Sequence, residues 1–252
     1  MTKPTSNPNP NPFTCNALSR LFSLILDLIF PPRCASCGNF SYEGICADCI
    51  KQINCLGNDI CRICGEPRDK YFINDLCEDC HKLRPPFICA RSVAIYEGVL
   101  KESIHKFKFE NKIDLYPVLG RLLVNYVSSG KLSVQNIDSV IPVPLSIKRI
   151  HERGYNQSEL LARVVADHFS LKMEVNLLKK IKEIKPQFKL EREERLSNIK
   201  GAFSCSPLEG KNVLLIDDIY TTGATVLEAS SALKAAGAKH IYILTLARAV
   251  EA

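Results

Sequence analysis

The apolar positions of this chain fall into two textures that change near residue 91. Beyond it, short apolar runs alternate with segments of helical spacing. "RSVAIYEG" (91–98), "DSVIPVP" (138–144), "KNVLLIDD" (211–218) and "HIYILTLA" (240–247) read as strands. Between them, "VLKESIHKFKF" (99–109), with Leu100, Ile104 and Phe107 on one face, predicts a helix. So do "PVLGRLLVNYVSSG" (117–130), "NQSELLARVVADHF" (156–169) and "ATVLEASSALKAAG" (224–237). Strands that alternate with helices predict an α/β fold, a mostly parallel sheet with helices on both faces. Ligands of such sheets sit beyond the C-terminal ends of the strands.

One strand ends unusually. In "VLLIDDIYTTGAT" (213–225) four apolar residues run into Asp217 and Asp218. Thr221, Thr222, Gly223, Ala224 and Thr225 then lead into a helix. A helix N-terminus offers free N–H groups and a positive dipole end, which suit a phosphate. Threonine hydroxyls add donors, and Gly223 lets the backbone approach closely. The two carboxylates can accept hydrogen bonds from sugar hydroxyls, so the stretch suits a ribose 5-phosphate. A P-loop would need G-x-x-x-x-G-K-[ST], and a dinucleotide site G-x-G-x-x-G; neither is present here. A plain acidic strand end with a threonine cap would explain one acid and one threonine, not the whole run.

Before residue 91 the periodicity gives way to cysteine. Eleven of the twelve cysteines precede residue 90. Eight form four C-x-x-C pairs: Cys34/Cys37, Cys46/Cys49, Cys61/Cys64 and Cys77/Cys80. Each pair is a knuckle that aims two thiolates at one ion, and two knuckles close a tetrahedral site. Gly38 and Gly65 follow two of the knuckles, where positive φ is often needed. The expectation is a double zinc ribbon with two structural Zn²⁺, Cys34/Cys37/Cys46/Cys49 and Cys61/Cys64/Cys77/Cys80. Interleaved pairing is equally compatible with the spacing. A thioredoxin-like redox site would need one such pair, not four. Thiols used this way point to a reducing compartment, the cytoplasm. Cys15, Cys55, Cys89 and Cys205 read as small buried or incidental residues, and His81 as a surface residue. About sixty residues with few large apolar side chains need metal to fold, whereas residues 91–248 have a core of their own.

The expected domains are 1–30, a disordered tail with a short amphipathic helix; 31–90, the double zinc ribbon; and 91–252, the α/β part. Pro4, Pro8, Pro10 and Pro12 mark the tail. Leu18, Leu21, Phe22, Ile25, Leu28 and Ile29 mark the helix, which is too short to span a bilayer. Packing on its own protein and peripheral membrane contact both fit that pattern. The net charge of +6 leans mildly towards anionic partners. Residues 172–200, with nine Lys or Arg against five Glu, suit either a mobile hood over the site or an exposed helix face.

The acid pair followed by T-T-G-x-T resembles the phosphoribosyl-pyrophosphate (PRPP) motif of type I phosphoribosyltransferases. "IPVPLSIKRIHERGYNQSELLA" (141–162), "PQFKLEREERLSNIKGAF" (186–203) and the four knuckles together resemble the ComF family, linked to competence and DNA uptake. The family often has a threonine three residues before the position of Gln187; here it is Ile184. The resemblance implies a zinc-ribbon module followed by a type I phosphoribosyltransferase-like domain. It implies that Asp217 and Asp218 bind ribose hydroxyls and help hold Mg²⁺ with PRPP. It places Arg149, Arg153 and Gly154 where the fold carries its pyrophosphate loop. Three functions then compete: a transferase of phosphoribosyl groups, a PRPP- or single-stranded-DNA-binding factor working with DNA-uptake proteins, and a zinc-ribbon adaptor that senses a nucleotide.

Overall fold

The computed structural model describes residues 31–68, 72–183 and 198–250. The expected tail and helix of residues 1–30, and Ile184 and Gln187, lie outside the described residues. The ribbon region contains α1 (Ala47–Lys51), the antiparallel strands β1 (Phe72–Ile73) and β2 (Leu76–Cys77), and α2 (Glu78–Leu83). Then follow β3 (Cys89–Ile95), α3 (Gly98–Phe109), α4 (Tyr116–Ser128), β4 (Ser139–Pro142), α5 (Ile147–Arg153) and α6 (Gln157–Phe169). After β5 (Leu178–Lys180) and β6 (Phe203–Cys205) come β7 (Asn212–Tyr220), α7 (Ala224–Ala235) and β8 (His240–Arg248).

Four strands form one parallel sheet in the order β3-β8-β7-β4. Its strands are apolar runs because helices cover both faces. Along β7 the side chains alternate between two cores. Leu214 and Ile216 join Leu100, Phe107, Leu119, Leu123, Leu161 and Val165 of α3, α4 and α6. Val213 and Leu215 join Val226, Ala229 and Leu233 of α7. Each large side chain so buried contributes about 1.5–3 kcal/mol.

The cysteine region is not a separate head. Cys34 and Cys49 are buried in the first core, and Cys61, Cys64, Cys77 and Cys80 in the second. The ribbon therefore straddles the β3 edge of the sheet. It also pairs with that edge: the Leu56 amide donates to Val93 O at 3.0 Å, and the Ile95 amide to Asn54 O at 2.9 Å. An open strand edge is an aggregation hazard, and residues 54–56 cover this one. Cys55, in that segment, is exposed, while Cys89 and Cys205 are half-buried. The sheet begins at Cys89, inside the stretch expected to be ribbon.

One further expectation changes, and another falls mostly outside the described residues. β7 does not stop at its acids but runs to Tyr220, because β8 keeps pairing with it through Asp217↔Thr245, Ile219↔Ala247 and Tyr220↔Arg248. Of the basic segment, expected as a mobile hood or an exposed helix face, residues 184–197 lie outside the described residues; before them β5 pairs antiparallel with β6, with Leu178 and Phe203 buried.

Candidate functional site

Asp217 and Asp218 lie near the C-terminal end of β7 and point to opposite sides of it. Ser158 Oγ donates to Asp217 Oδ1 at 2.9 Å, and the Asp218 amide donates to the same oxygen at 2.9 Å. Asp218 is 7% exposed and its Oδ1 meets Lys108 Nζ, from the last turn of α3, at 2.7 Å. Burial, and then the charge of Asp218, push Asp217 up to about 7, while Lys108 and the Ser158 hydrogen bond pull it down. Such a pair of acids fits a divalent cation, which would relieve both causes.

The raised pKa has a consequence for stability. A carboxylate whose folded pKa lies above its unfolded one costs stability once the unfolded chain ionises, and the cost is complete above the folded pKa. Asp217→Asn should therefore raise the melting temperature of the unliganded protein at pH 8. The gain should shrink as pH falls from about 7 towards the ordinary carboxylate range. Thermal melts across that window check it; a gain that grows on acidification would contradict the assignment.

The block 153–158 wires this site together. Gly154, at φ +79°, stops α5. The Tyr155 hydroxyl donates to Phe107 O, which anchors the end of α3 that carries Lys108. Asn156 caps α6 by accepting from the Ser158 amide at 3.2 Å, and its Nδ2 donates to Val143 O at 3.1 Å. Gln157 is buried, and its Oε1 accepts from Arg153 at 3.0 Å. Ser158, held by this cap, reaches Asp217.

Arg149 and Arg153 were expected in a loop; they sit instead on α5, four residues apart. Ser146 caps that helix by accepting from the Arg149 amide at 3.5 Å. The Arg153 guanidinium lies 4.8 Å from the Phe109 ring centre. Burial, and then the charge of Arg149, lower its pKa, while Asp218 opposes them. Burial and Arg149 likewise lower Lys180 of β5, and Asp217 opposes. Arg149, Arg153 and Lys180 thus share one electrostatic field with the two acids.

Residues 221–223 connect β7 to α7, and Thr225 lies in the first turn of that helix. Gly223 is its N-cap at φ +78°, and a Cβ there would overlap the Tyr220 ring, meeting Cζ at 2.8 Å. Both reasons require glycine. The Ala224 amide donates to Thr222 Oγ1 at 3.4 Å.

The eight knuckle cysteines form two clusters, Cys34/Cys37/Cys46/Cys49 and Cys61/Cys64/Cys77/Cys80, whose sulfurs lie within 4.8 Å of one another in each. The pairing is consecutive, not interleaved. Cys37 and Cys46 sulfurs are 3.6 Å apart, and those of Cys64 and Cys77 3.5 Å. A tetrahedral site with Zn–S bonds of about 2.3 Å needs nearly this spacing, about 3.7 Å. Backbone amides of Cys46 and Cys77 donate to Cys34 and Cys61 sulfurs at 3.3 and 3.4 Å, as thiolate ligands require. Gly38 and Gly65 both have φ of +74°, and His81 is exposed.

Sequence reasoning missed Lys108, Lys180 and the role of Ser158. Ser158 lay inside a quoted block, but its partner is 59 positions away. Nothing local marks Lys108 or Lys180.

Competence protein F of Haemophilus influenzae is 33% identical over 226 residues, which cover 86% of this chain and 97% of that one. The chain belongs to the ComF family. Other ComF-like relatives agree. Competence protein ComFC of Bacillus subtilis is 30% identical over 73% of this chain and 75% of its own. The DNA utilization protein YhgH of Salmonella typhimurium is 29% identical over 82% and 92%. The double zinc ribbon domain family matches residues 25–81, and the phosphoribosyl transferase domain family residues 155–251. Both sulfur clusters fall in the first span. The acids, their loop and Ser158 fall in the second.

Proposed function

We propose that this ComF-family protein binds PRPP with Mg²⁺ at the end of β7 and serves DNA uptake. The observation that carries the reading is the acid pair of a central strand, Asp218 buried and Asp217 half-buried, followed after a short loop by a helix capped by glycine. Asp217 and Asp218 would meet the ribose hydroxyls and Mg²⁺. Residues 221–225 would hold the 5-phosphate, and Arg149 and Arg153 the pyrophosphate. Two structural Zn²⁺ would close the sulfur clusters. The domains would be the ribbon, 31–90, and the phosphoribosyltransferase-like part, 91–252. Reduced thiol clusters fit the cytoplasm, and among the described residues no helix is long and apolar enough to cross a membrane.

Transfer of the phosphoribosyl group to an acceptor is the second reading. Arg149, Arg153 and Lys180 favour it, since cations stabilise a leaving pyrophosphate. Pyrophosphate release from PRPP, measured with candidate bases and with single-stranded DNA, separates the two. Release supports the transferase. Tight binding without release supports the binding factor. Absence of both overturns the site.

DNA uptake also implies contact with single-stranded DNA. Away from the acids, a cleft of about 460 Å³ at the ribbon–sheet junction is lined by Arg62, Arg91 and Lys131, besides Arg68. Arg68 pairs with Asp59 and Asp75; no carboxylate among the described residues pairs with the other three. Together with the basic segment they should give weak, phosphate-directed binding. Affinity for an oligothymidylate should fall steeply between 50 and 200 mM salt, both values on the order of those usual for such titrations. Fluorescence anisotropy checks it; binding that ignores salt would contradict it.

A further inference from the structure

The second sulfur cluster and the 221–225 loop are joined by two side chains that the proposed ligand contacts leave unused. Arg248, the last residue of β8, is 3% exposed. It donates to Cys64 O at 2.8 Å, reaches Cys64 Sγ at 3.8 Å, and pairs with Glu66. The far face of its guanidinium covers the Tyr220 ring, with Cζ 4.3 Å from the ring centre. Tyr220 is the register partner of Arg248 across the sheet, and the space beside its ring is where a Gly223 side chain would have to go. The contacts thus run from Cys64 through Arg248 and Tyr220 to the N-cap of α7.

We propose that Arg248 is a positioning residue for the 221–225 loop, through which the metal occupancy of the second cysteine site sets the pose of that loop. A buried guanidinium is tolerated only with negative partners. Glu66 supplies one charge. Four thiolates around a divalent ion are dianionic and would supply more, with an N–H···S bond of the kind that supports metal thiolates. The knuckle is also seated firmly on the sheet. The Ala90 amide donates to Ile63 O at 2.6 Å, Arg91 donates to Arg62 O at 3.0 Å, and a Cβ on Gly65 would meet Ala90 O at 2.8 Å. A knuckle that loses its metal therefore loses it against Arg248, not in solvent.

The first cluster provides the contrast. It docks on α3 and α4, through Lys106 to Ala35 O, Ser36 to Glu102 and Arg121 to Glu43. It lies in the other core, and among the described residues no hydrogen bond or ion pair joins its four cysteines to Arg248 or to residues 221–225. Two sites of like chemistry should then affect the loop unequally.

The test is hydrogen exchange of the 221–226 amides in the full chain without ligand, with zinc measured in each sample. Arg248→Lys keeps a charge for Glu66 but loses the flat stack on Tyr220. It should retain its zinc and exchange faster in the loop. Cys64→Ser and Cys37→Ser should each lose one zinc and some global stability, so exchange is compared at a temperature where both remain folded by circular dichroism; there Cys64→Ser should exchange faster in the loop and Cys37→Ser should not. If either cysteine variant does not fold, Arg248→Lys decides alone. Unchanged exchange in Arg248→Lys, or equal acceleration in Cys37→Ser, overturns the proposal.

The ligand readout rests on the proposed ribose-phosphate reading. Ribose 5-phosphate affinity should fall about 3- to 30-fold in Arg248→Lys, the scale of a buried cation–π contact. A loosened loop with unchanged affinity, or a wild type that binds no ribose 5-phosphate, would overturn that reading and leave the strut standing.

Discussion

Replacing Asp217 and Asp218 together by Ala should abolish Mg²⁺-dependent binding of PRPP. Both ribose hydroxyl acceptors and both candidate carboxylates for the metal are lost at once. The two positions differ in what they do for the fold. Asp217 is held above its ordinary pKa by burial and by Asp218, so removing its charge relieves a strain. Asp218 balances Lys108, whose ammonium is itself largely buried. Its loss leaves that charge with one partner fewer, at a cost of about 1–3 kcal/mol. The double Asn variant, which keeps the shape and the acceptor for Ser158, guards against a loss of binding that is only a loss of fold. Calorimetry with PRPP, with and without Mg²⁺, on wild type and both double variants is the measurement. Thr222→Val should weaken ribose 5-phosphate binding by about 1–3 kcal/mol, the scale of a hydrogen bond to a charged group. Equal affinity in wild type and the double variants would show that the motif is architecture and that function lies in the ribbon.

Chelating the metals should destabilise the whole chain, not the ribbon alone. Apparent Zn²⁺ binding in small four-ligand sites is worth about 10–16 kcal/mol at pH 7. The net stability of a domain is only about 5–15 kcal/mol. Losing two such sites is therefore comparable with everything that holds the fold. The damage would also spread, because cysteines of both clusters are core residues: Cys49 belongs to the core that holds Leu119 and Ile104, and Cys64 to the one that holds Ile243 and Tyr220. Loosening the knuckles would uncover the β3 edge, where the Leu56 and Ile95 amides now pair. The expected result is a single cooperative melt for the loaded protein. After chelation it should shift down by about 10 °C or more, on the usual scale of about 2–4 °C per kcal/mol for a chain of this size. Aggregation should accompany it. Residues 91–252 produced alone should aggregate as well. A chelated protein whose α/β part melts as before would show that the ribbon is a detachable head after all. Elemental analysis of unchelated protein should find two zinc per chain, and less than one would overturn the assignment.

Local features were legible along the chain. Apolar runs and helical spacing placed the four strands of the sheet and helices α3, α4, α6 and α7, though not α5, because burial on two faces or one imposes those periods on any chain. C-x-x-C spacing determined the knuckles, because a tight turn of four residues suffices to aim two sulfurs at one point. The acid pair and T-T-G-A-T carried their chemistry in one continuous stretch. Features that depend on residues far apart in sequence emerged only from folding. It paired the knuckles consecutively and set the two clusters on opposite faces of the sheet. It closed the β3 edge with residues 54–56, and carried β7 past its acids because β8 continued beside it. It brought Lys108 to Asp218, Ser158 to Asp217 and Arg248 between Cys64 and Tyr220. Partners 59, 110 and 184 positions apart leave no pattern in a single chain. Their contacts arise from the packing of the sheet, and periodicity along one strand carries no information about which strand lies beside it.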